Sequence, residues 1–247
     1  MNRFLGIIPA RFGSTRFPGK PLAMLGDRPM IQWVYERARE TLPNLVVATD
    51  DQRIIKVVED FGGDVLMTSA EHRTGTERCA EALDLYCKKS AVQFSHVVNI
   101  QGDEPLLSSS HLEALMNCFN NRDTQIATLI QPYDKSRDLS DPNLVKVAVD
   151  RSLKALYFSR LPIPYVNDHF PEADHIPTFY THIGLYAYRS EILRQLVSLT
   201  ATPLEQSEAL EQLRWMEHGY SIQTTITHQT SLGVDTPEDL ERIRRMI

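Results

Sequence analysis

The stretch IIPARFGSTRFPGKPL, residues Ile7 to Leu22, joins a short apolar segment to a loop rich in cations. The overlapping run FLGIIPA (Phe4–Ala10) is almost wholly apolar, which is typical of a buried strand. The loop then places Arg11, Arg16 and Lys20 among glycines, which let a backbone approach a ligand closely, and prolines, which stiffen it. This pattern predicts either an anion-binding loop at the end of a strand or a solvated turn.

The loop does not fit the two common phosphate-binding fingerprints. A P-loop has four residues between its first glycine and the Gly-Lys pair, followed by Ser or Thr. Here five residues separate Gly13 from Gly19, and Pro21 follows Lys20, so the position offers neither a hydroxyl nor a backbone N–H. The G-x-G-x-x-G pattern of dinucleotide-binding proteins is absent from the loop as well.

Composition narrows the class of protein. The 247 residues have a net charge of −6, which argues against nucleic acid as the main partner. No apolar run approaches the length of a membrane span, and the N-terminus lacks the features of a signal peptide. Cys79, Cys87 and Cys118 form no C-x-x-C pair and are expected to be reduced core thiols. We therefore expect a cytoplasmic protein that binds neither nucleic acid nor membrane.

Apolar runs alternate with helical patterns along the first half of the chain. The runs NLVVATD, DVLMTS and HVVNIQGDEP are predicted strands, the last ending at Gly102, and MIQWVYERARE is a predicted helix. A second helix, DQRIIKVVEDFGG, has Asp50 or Asp51 as its cap and closes at Gly62. Alternation of this kind predicts an α/β fold with a parallel sheet covered by helices on both faces.

The second half predicts antiparallel additions to that sheet. QIATLIQPY, LVKVAVD and KALYFSR lie close together, with no room for a crossover helix between the latter two, and THIGLYAYR and SIQTTITH are further strands. A helix is predicted from Pro203 to about His218, and another at TPEDLERIRR, with Asp235 or Thr236 near its cap. We expect one domain over residues 1–247 with a mixed, mostly parallel sheet and an excursion at about 125–190.

Two acidic residues follow predicted strands. Asp103 lies in QGDEP and Asp235 in GVDTPEDL, each at an exit from a strand, and ligands of such sheets bind outside the carboxyl ends of the strands. Carboxylates there, beside phosphate-binding cations, suit Mg²⁺. The alternative is that each acid is an ordinary turn or cap residue.

The segment RTGTERC, residues 73–79, has two interpretations. Thr74 or Thr76 could cap the helix that follows, with Glu77 close behind. Alternatively, Gly75 and the neighbouring backbone could contact the edge of a base.

The predicted helix from Pro203 to His218 also has two interpretations. At 100° per residue its apolar side chains share one face, directed to the core. That face comprises Ala209, Leu210, Leu213 and Met216. Glu208, Glu211 and Gln212 group on the opposite side, which is either solvated or holds a hydroxyl-rich ligand such as a sugar.

Taken together, these stretches resemble one family from end to end, the 3-deoxy-D-manno-octulosonate cytidylyltransferases, or CMP-KDO synthetases. The matching stretches are IIPARFGSTRFPGKPL, TGTERCAEA, VVNIQGDEPLL, FSRLPIPY, HIGLYAYR, LEQSEALEQLRWMEHGY and GVDTPEDLERIR. Opening loops of this kind occur in other nucleotidyltransferases, whereas their combination with NIQGDEP, HIGLYAYR and LEQLR is specific to this family. Thr74 stands where many relatives have Ser, and the loop from Pro164 to Thr178 matches poorly.

The resemblance implies a Rossmann-like nucleotidyltransferase fold and a cytoplasmic, Mg²⁺-dependent homodimer. It implies cytidylyl transfer from CTP to KDO with release of pyrophosphate, in lipopolysaccharide biosynthesis, with the excursion contributing sugar-site and dimer elements. The implied nucleotide-binding residues are Pro9, Ala10, Arg11, Ser14, Lys20, Thr74, Gly75 and Arg78. Asp103 and Asp235 are implied to be metal ligands, and we expect them to be catalytic together with Lys20 and Arg16, whose charges would offset the charge that builds on the leaving pyrophosphate. The implied sugar-binding residues are Gln101, Arg160, His182, Tyr186, Glu211 and Gln212.

Two other functions are compatible with the same sheet. One is nucleotide transfer to a different sugar acid or sugar phosphate. The other is a glycosyltransferase-like protein or a nucleotide sensor. Only the transferases release pyrophosphate from CTP and an acceptor. No side chain is identifiable as a dedicated general base, since His182 in HIGLY is expected to hydrogen-bond the sugar.

Overall fold

A computed structural model describes residues 3–13, 17–134, 136–165, 179–229 and 232–246. The strands are β1 (Phe4–Ala10), β2 (Met24–Leu25), β3 (Arg28–Pro29), β4 (Leu45–Thr49), β5 (Val65–Met67), β6 (His96–Asn99), β7 (Ile126–Pro132), β8 (Lys146–Val149), β9 (Ala155–Ser159), β10 (Tyr180–Arg189) and β11 (Ile222–Ile226). The helices are α1 (Met30–Thr41), α2 (Gln52–Asp60), α3 (Gly75–Ser90), α4 (Ser109–Asn117), α5 (Ser190–Leu196), α6 (Pro203–Glu208), α7 (Glu211–Glu217) and α8 (Pro237–Arg244). Among the described residues, no helix is both long and apolar enough to cross a membrane.

The chain forms two compact units. The first contains Met1–Glu113, Leu185–Val197 and Ser231–Ile247, and the second contains Ala114–Gly184 and Ser198–Thr230. The predicted excursion at about 125–190 overlaps the second unit, and its contribution to a sugar site and a dimer stays a prediction.

The first unit is built on parallel strands. β1 pairs with β4 and β6, and β4 pairs with β5, all in parallel. Every residue of β4 and β6 is buried, as expected for strands covered on both faces. The second half of β10 lies antiparallel to β6, with Tyr186 opposite Asn99. The predicted α/β class and mixed, mostly parallel sheet are therefore confirmed.

Side-chain caps start three helices of this unit, as their sequences predict. Asp51 accepts a hydrogen bond from the Arg53 N–H at the start of α2. Thr74 accepts one from the Glu77 N–H at the start of α3, and Thr236 begins α8 in a capping box with Asp239. Each cap satisfies a backbone N–H that has no partner within its helix.

The second unit contains the antiparallel additions. β8 and β9 form an antiparallel pair, and β8 also pairs with the first residues of β10. β11 lies parallel to β7, with Ile222 opposite Ile126. The short connection between β8 and β9 leaves no room for a crossover helix, so a hairpin is the only available geometry.

The prediction of one continuous helix from Pro203 to His218 is wrong. The chain forms α6 and α7, separated at Ala209, which has the left-handed φ of 50°. Arg160 supplies the reason, because its guanidinium donates to the carbonyls of Glu208 and Ala209 at 2.7 and 3.1 Å. At the end of α6 these carbonyls accept hydrogen bonds from the Arg160 side chain. In a continuous helix they would instead accept from the backbone N–H groups of the next turn.

This break changes the predicted faces. Ala209 is exposed, although the single-helix pattern directed it to the core, whereas Leu210 and Leu213 are buried as predicted. Gln212 is only 6% exposed, so the interpretation of its face as solvated is wrong for this residue.

Candidate active site

A cavity of about 310 Å³ lies in the first unit, where β1 and β6 end. This volume is at the lower end of the range for small-molecule sites. Ten residues predicted to act in the site line it: Pro9, Ala10, Arg11, Lys20, Thr74, Gly75, Arg78, Gln101, Asp103 and Asp235. The parallel strands place these loops at one edge of the sheet, which is why residues so far apart in sequence meet.

Lys20 is the charged centre of the cavity. Its Nζ donates to Asp103 Oδ2 at 2.5 Å and to Asp235 Oδ1 at 3.4 Å. The Lys20 side chain is 13% exposed, and the two carboxylates are 28% and 49% exposed. The predicted meeting of these three residues is thus observed.

The backbone of the loop after β1 fixes the position of the Lys20 Cα. Gly19 has a φ of 74°, and its N–H donates to the Phe12 carbonyl at 2.9 Å. A Cβ at Gly19 would lie 3.1 Å from the Phe12 ring, so both the conformation and the space favour glycine. The Arg53 guanidinium lies 3.3 Å from the centre of the same ring and covers it.

A backbone bond brings the two acids together. The Val234 N–H donates to the Asp103 carbonyl at 2.9 Å, which ties the loop before Asp235 to the loop after β6. Val234 is fully buried in a cluster with Met30 and Leu240, so Asp235 leaves the core at a defined point.

Gly102 allows β6 to end close against β1. A Cβ at this position would lie 3.2 Å from the Pro9 carbonyl oxygen and 3.4 Å from Ile8 Cγ2. Because the Pro9 oxygen belongs to the backbone of a buried strand, a larger residue at Gly102 would push Asp103 away from Lys20.

The other wall of the cavity is the start of α3. The Thr74 hydroxyl accepts from the Glu77 N–H at 3.2 Å, so the capping interpretation of this residue is confirmed, and a contact of Gly75 with a base remains a prediction. The Arg78 side chain is buried. Its guanidinium donates to Thr68 Oγ1 at 2.6 Å and to Asp50 Oδ2 at 2.8 Å. Its guanidinium therefore anchors the loop between β5 and α3.

His72 lines the cavity and was not singled out in the sequence. Its Nε2 lies 2.5 Å from Glu81 Oε2, and the same carboxylate oxygen accepts from the Ser69 N–H at 2.8 Å. The available signal was spacing: once α3 is known to begin at Gly75, Glu81 lies nearly two turns along the helix and can reach back to the loop.

Tyr186 and Gln101 belong to the first unit, whereas the other predicted sugar-binding residues belong to the second. Gln101 lines the cavity. Tyr186 is 7% exposed and stacks on Tyr188 with a centroid distance of 5.9 Å.

In the second unit, Arg160 and Glu208 are joined by hydrogen bonds through both their side chains and their backbones. The Glu208 carboxylate accepts from the Ser159 hydroxyl at 2.8 Å and from the Arg160 N–H at 2.9 Å. The Arg160 guanidinium bonds the backbone carbonyls that end α6, and also that of Pro142 at 2.8 Å. We call these contacts the Arg160–Glu208 clamp. It fixes the turn before α7, which carries Glu211 and Gln212.

His182 is packed against Phe158, with ring centres 5.2 Å apart, and its Nε2 lies 2.9 Å from Thr128 Oγ1. Burial lowers the pKa of His182 to about 3. The imidazole is therefore neutral at physiological pH and is too weakly basic for an efficient general base.

Two predicted site residues, Ser14 and Arg16, lie outside the described residues, as does most of the loop from Pro164 to Thr178. Their predicted roles stay predictions.

The residues of the cavity fit a divalent cation. Asp103 and Asp235 both reach one ammonium group, so their oxygens face a common point. Within the described part of the chain, no group of three or more His, Cys, Asp or Glu side chains could hold a metal. Mg²⁺ commonly binds through one or two carboxylates and completes its shell with phosphate oxygens and water, so two acids suffice.

Comparisons with known proteins show which family this chain resembles. A family model described as cytidylyltransferase matches residues 5–226. The 3-deoxy-manno-octulosonate cytidylyltransferase of Parabacteroides distasonis is 48% identical over 247 residues, covering 98% of this chain and 97% of that protein. The enzyme of the same name from Thermodesulfovibrio yellowstonii is 46% identical over 240 residues, covering 95% and 94%.

Solved structures agree. A CMP:2-keto-3-deoxy-manno-octonic acid synthetase complexed with CTP matches with a TM-score of 0.89 and 38% identity, covering 99% of this chain and 98% of that one. A putative glucose-1-phosphate thymidylyltransferase from Bacillus anthracis covers 98% and 94% with a TM-score of 0.65, but its 18% identity shows a shared fold alone. With relatives almost half identical over nearly its whole length, this chain belongs to the 3-deoxy-manno-octulosonate cytidylyltransferase family.

Proposed function

We propose that this enzyme transfers the cytidylyl group of CTP to 3-deoxy-D-manno-octulosonate (KDO) and releases pyrophosphate. The names of its relatives and the CTP bound to the similar solved structure support the substrates. The observation that carries the proposal is the meeting of Lys20 with two carboxylates in a cavity at the carboxyl ends of β1 and β6. This arrangement offers cationic and metal-binding groups where a triphosphate would lie.

The reaction is one displacement at phosphorus. The 2-hydroxyl oxygen of KDO forms a bond to the α-phosphorus of CTP, the bond from that phosphorus to the bridging oxygen breaks, and pyrophosphate departs in line. Arg11, Arg16 and Lys20 offset the negative charge that grows on the pyrophosphate. The hydroxyl proton passes to solvent, since His182 has a pKa of about 3 and is a poor acceptor.

We further propose that Asp103 and Asp235 hold a Mg²⁺ ion. When bound, the ion supplies Lewis-acid polarisation of the α-phosphate. The contribution of the chain is to keep the two carboxylates facing one point, through the buried Val234 and its bond to the Asp103 carbonyl.

On the sugar side, we propose that KDO is bound by Gln101, Arg160, His182, Tyr186, Glu211 and Gln212. For Arg160 the bonds of its guanidinium to three backbone carbonyls favour an indirect contribution, through the turn before α7. We also propose that the enzyme acts as a cytoplasmic homodimer and that its product serves lipopolysaccharide biosynthesis; the similarity to the family supports both.

One assay tests the function. Purified protein is incubated with CTP, Mg²⁺ and a panel of sugar acids and sugar phosphates, and pyrophosphate release is measured, with a parallel series in EDTA. We expect release with KDO and Mg²⁺ and its loss in EDTA. Release with a different acceptor and none with KDO would refute the substrate. No release with any acceptor would favour a nucleotide-binding protein of another class.

A further inference from the structure

We infer that the Lys20 ammonium and the divalent cation compete for the same carboxylate oxygens, so that the metal enters the site only together with a nucleoside triphosphate. This inference rests on the proposed function, because it concerns the order in which that reaction is assembled. It adds a role for Lys20 before any chemistry takes place.

The geometry around Lys20 is the first support. Lys20 Nζ is 2.5 Å from Asp103 Oδ2, which is a short, charge-assisted hydrogen bond, and it also reaches Asp235 Oδ1 at 3.4 Å. Mg²⁺ requires its oxygen ligands at about 2.0–2.1 Å in near-octahedral geometry. An ion held by both carboxylates would need the place that the ammonium occupies, and two cations at that separation repel each other strongly.

The burial of Lys20 is the second support. With only 13% of its side chain exposed, Lys20 has little bulk water to solvate its ammonium if it leaves the acids. A buried charge without a counter-ion is costly, so the ammonium needs another anionic partner before it gives up the carboxylates. The phosphates of CTP are such a partner within the same cavity.

The backbone at Lys20 is held in place, so the ammonium can move from carboxylate to phosphate only by a rearrangement of the side chain. Gly19 is bonded to the Phe12 carbonyl, and Lys20–Leu22 form a short 3-10 turn whose second residue is Pro21. The Lys20 Cα is thereby held while its four-carbon chain can redirect the ammonium from carboxylate to phosphate. By linkage, a nucleotide that draws Lys20 away raises metal affinity, and the metal raises nucleotide affinity by the same factor.

Mn²⁺ binding to the nucleotide-free protein tests the competition. The free ion is followed by electron paramagnetic resonance, because Mn²⁺ prefers the same oxygen ligands as Mg²⁺. We expect weak binding to the wild type. We expect Lys20→Met to bind one Mn²⁺ at least roughly tenfold more tightly, since a unit charge a few ångströms away in a partly exposed site is worth about that factor.

Two controls separate displacement from a change in net charge. Arg11→Met removes one positive charge from the same cavity at an exposed side chain and should change Mn²⁺ affinity by about threefold or less, because exposed charges are screened. The double variant Lys20→Met with Asp103→Asn should lose the added affinity. If Lys20→Met does not fold, as judged by its melting temperature, Lys20→Gln takes its place.

Two results would overturn the inference: a Mn²⁺ affinity of the Lys20 variant equal to that of the wild type, or an equal gain in Arg11→Met. Neither of them would affect pyrophosphate release by the wild type. A failure here is therefore distinguishable from a failure of the proposed function.

Discussion

Asp103 and Asp235 differ in exposure, at 28% and 49% of the side chain, although both face Lys20. A more buried carboxylate is less screened by water, so its charge acts more strongly on ligands in the cavity. The backbone of each acid is held in place: the Asp103 carbonyl accepts from the Val234 N–H at 2.9 Å, and the Asp235 N–H donates to the Asp239 carboxylate in α8 at 3.1 Å. Their substitution should therefore change the chemistry of the site more than its shape.

We expect Asp103→Asn and Asp235→Asn each to lower turnover by at least roughly a hundredfold, because each removes charge needed for Mg²⁺ at the α-phosphate. CTP binding measured in EDTA should change far less. Steady-state kinetics at saturating Mg²⁺ and calorimetry provide the two readouts. Asp27→Asn, with a side chain 80% exposed, is the control and should be silent. Near-normal turnover in either variant would remove that residue from the metal site.

Arg78 is more deeply buried than Lys20 and Arg11, the other charged residues described in the predicted nucleotide-binding set. Its side chain is 4% exposed and pairs with Asp50 at 2.8 Å. Removing one partner of a buried ion pair leaves the other charge without compensation. The guanidinium thus connects the end of β4 to the start of α3.

We expect Arg78→Met to lower the free energy of unfolding by about 3 kcal/mol. The matched control is Lys89→Met, in an exposed pair with Asp64 at 3.3 Å, which should cost under about 1 kcal/mol. Urea denaturation measures both. Equal losses in the two variants, together with a large rise in the KM for CTP, would show that Arg78 is a nucleotide ligand and not an anchor.

At the scale of elements, the break between α6 and α7 decides what Glu211 and Gln212 can do. As parts of one long helix they would share a face with Glu208. Because α7 starts anew at Glu211, Gln212 turns inward and Glu211 is half-buried at the first turn. The Arg160–Glu208 clamp holds this break, so residues outside α7 set the direction of its polar groups.

If this first turn of α7 binds KDO, Glu211→Gln and Gln212→Ala each remove a hydrogen-bonding group from the sugar. Such a loss costs about 1–3 kcal/mol, or roughly 5- to 150-fold in affinity. The KM for KDO should rise by that factor, with the KM for CTP almost unchanged.

The control for these variants is Glu217→Gln, at the exposed end of α7. Its carboxylate accepts from the Leu204 N–H at 3.0 Å, a bond that an amide oxygen can also accept. Unchanged KDO kinetics in both test variants would exclude α7 from the sugar site.

The stability of the whole molecule should depend on His182 as the pH falls. Burial lowers the pKa of His182 to about 3 in the folded protein, against about 6.5 in the unfolded chain. Below pH 6.5 the unfolded chain therefore binds a proton that the folded protein does not. Stability is fully present above this pH and is lost as the pH falls from about 6.5 towards 3.

Between pH 7 and pH 5, His182 should account for a fall of about 2 kcal/mol in the free energy of unfolding. Urea denaturation of the wild type and of His182→Gln at both pH values measures this share. The variant should lose about 2 kcal/mol less than the wild type over the interval. Equal losses in the two proteins would mean that His182 is not desolvated in the folded state.

Local features of the sequence were sufficient for much of the fold. The apolar runs at β1 and β4 predict buried parallel strands because only strands covered on both faces lack alternation. Caps at Asp51 and Thr236 are set by short-range bonds to the next turn of the backbone. The chemistry of Asp103 beside a cationic loop was also predictable, since parallel strands bring their carboxyl ends to one edge.

Contacts between residues far apart in sequence decided the features of the fold and the site that local patterns did not predict. No local pattern breaks the helix at Ala209; the break depends on Arg160, 49 positions earlier in the chain. The partnership of Lys20 with both acids depends on the Val234 bond to the Asp103 carbonyl, across more than a hundred residues. Helical periodicity records only neighbours within a turn or two, whereas a left-handed residue or a shared ammonium is stabilised by groups that meet only after the sheet has formed.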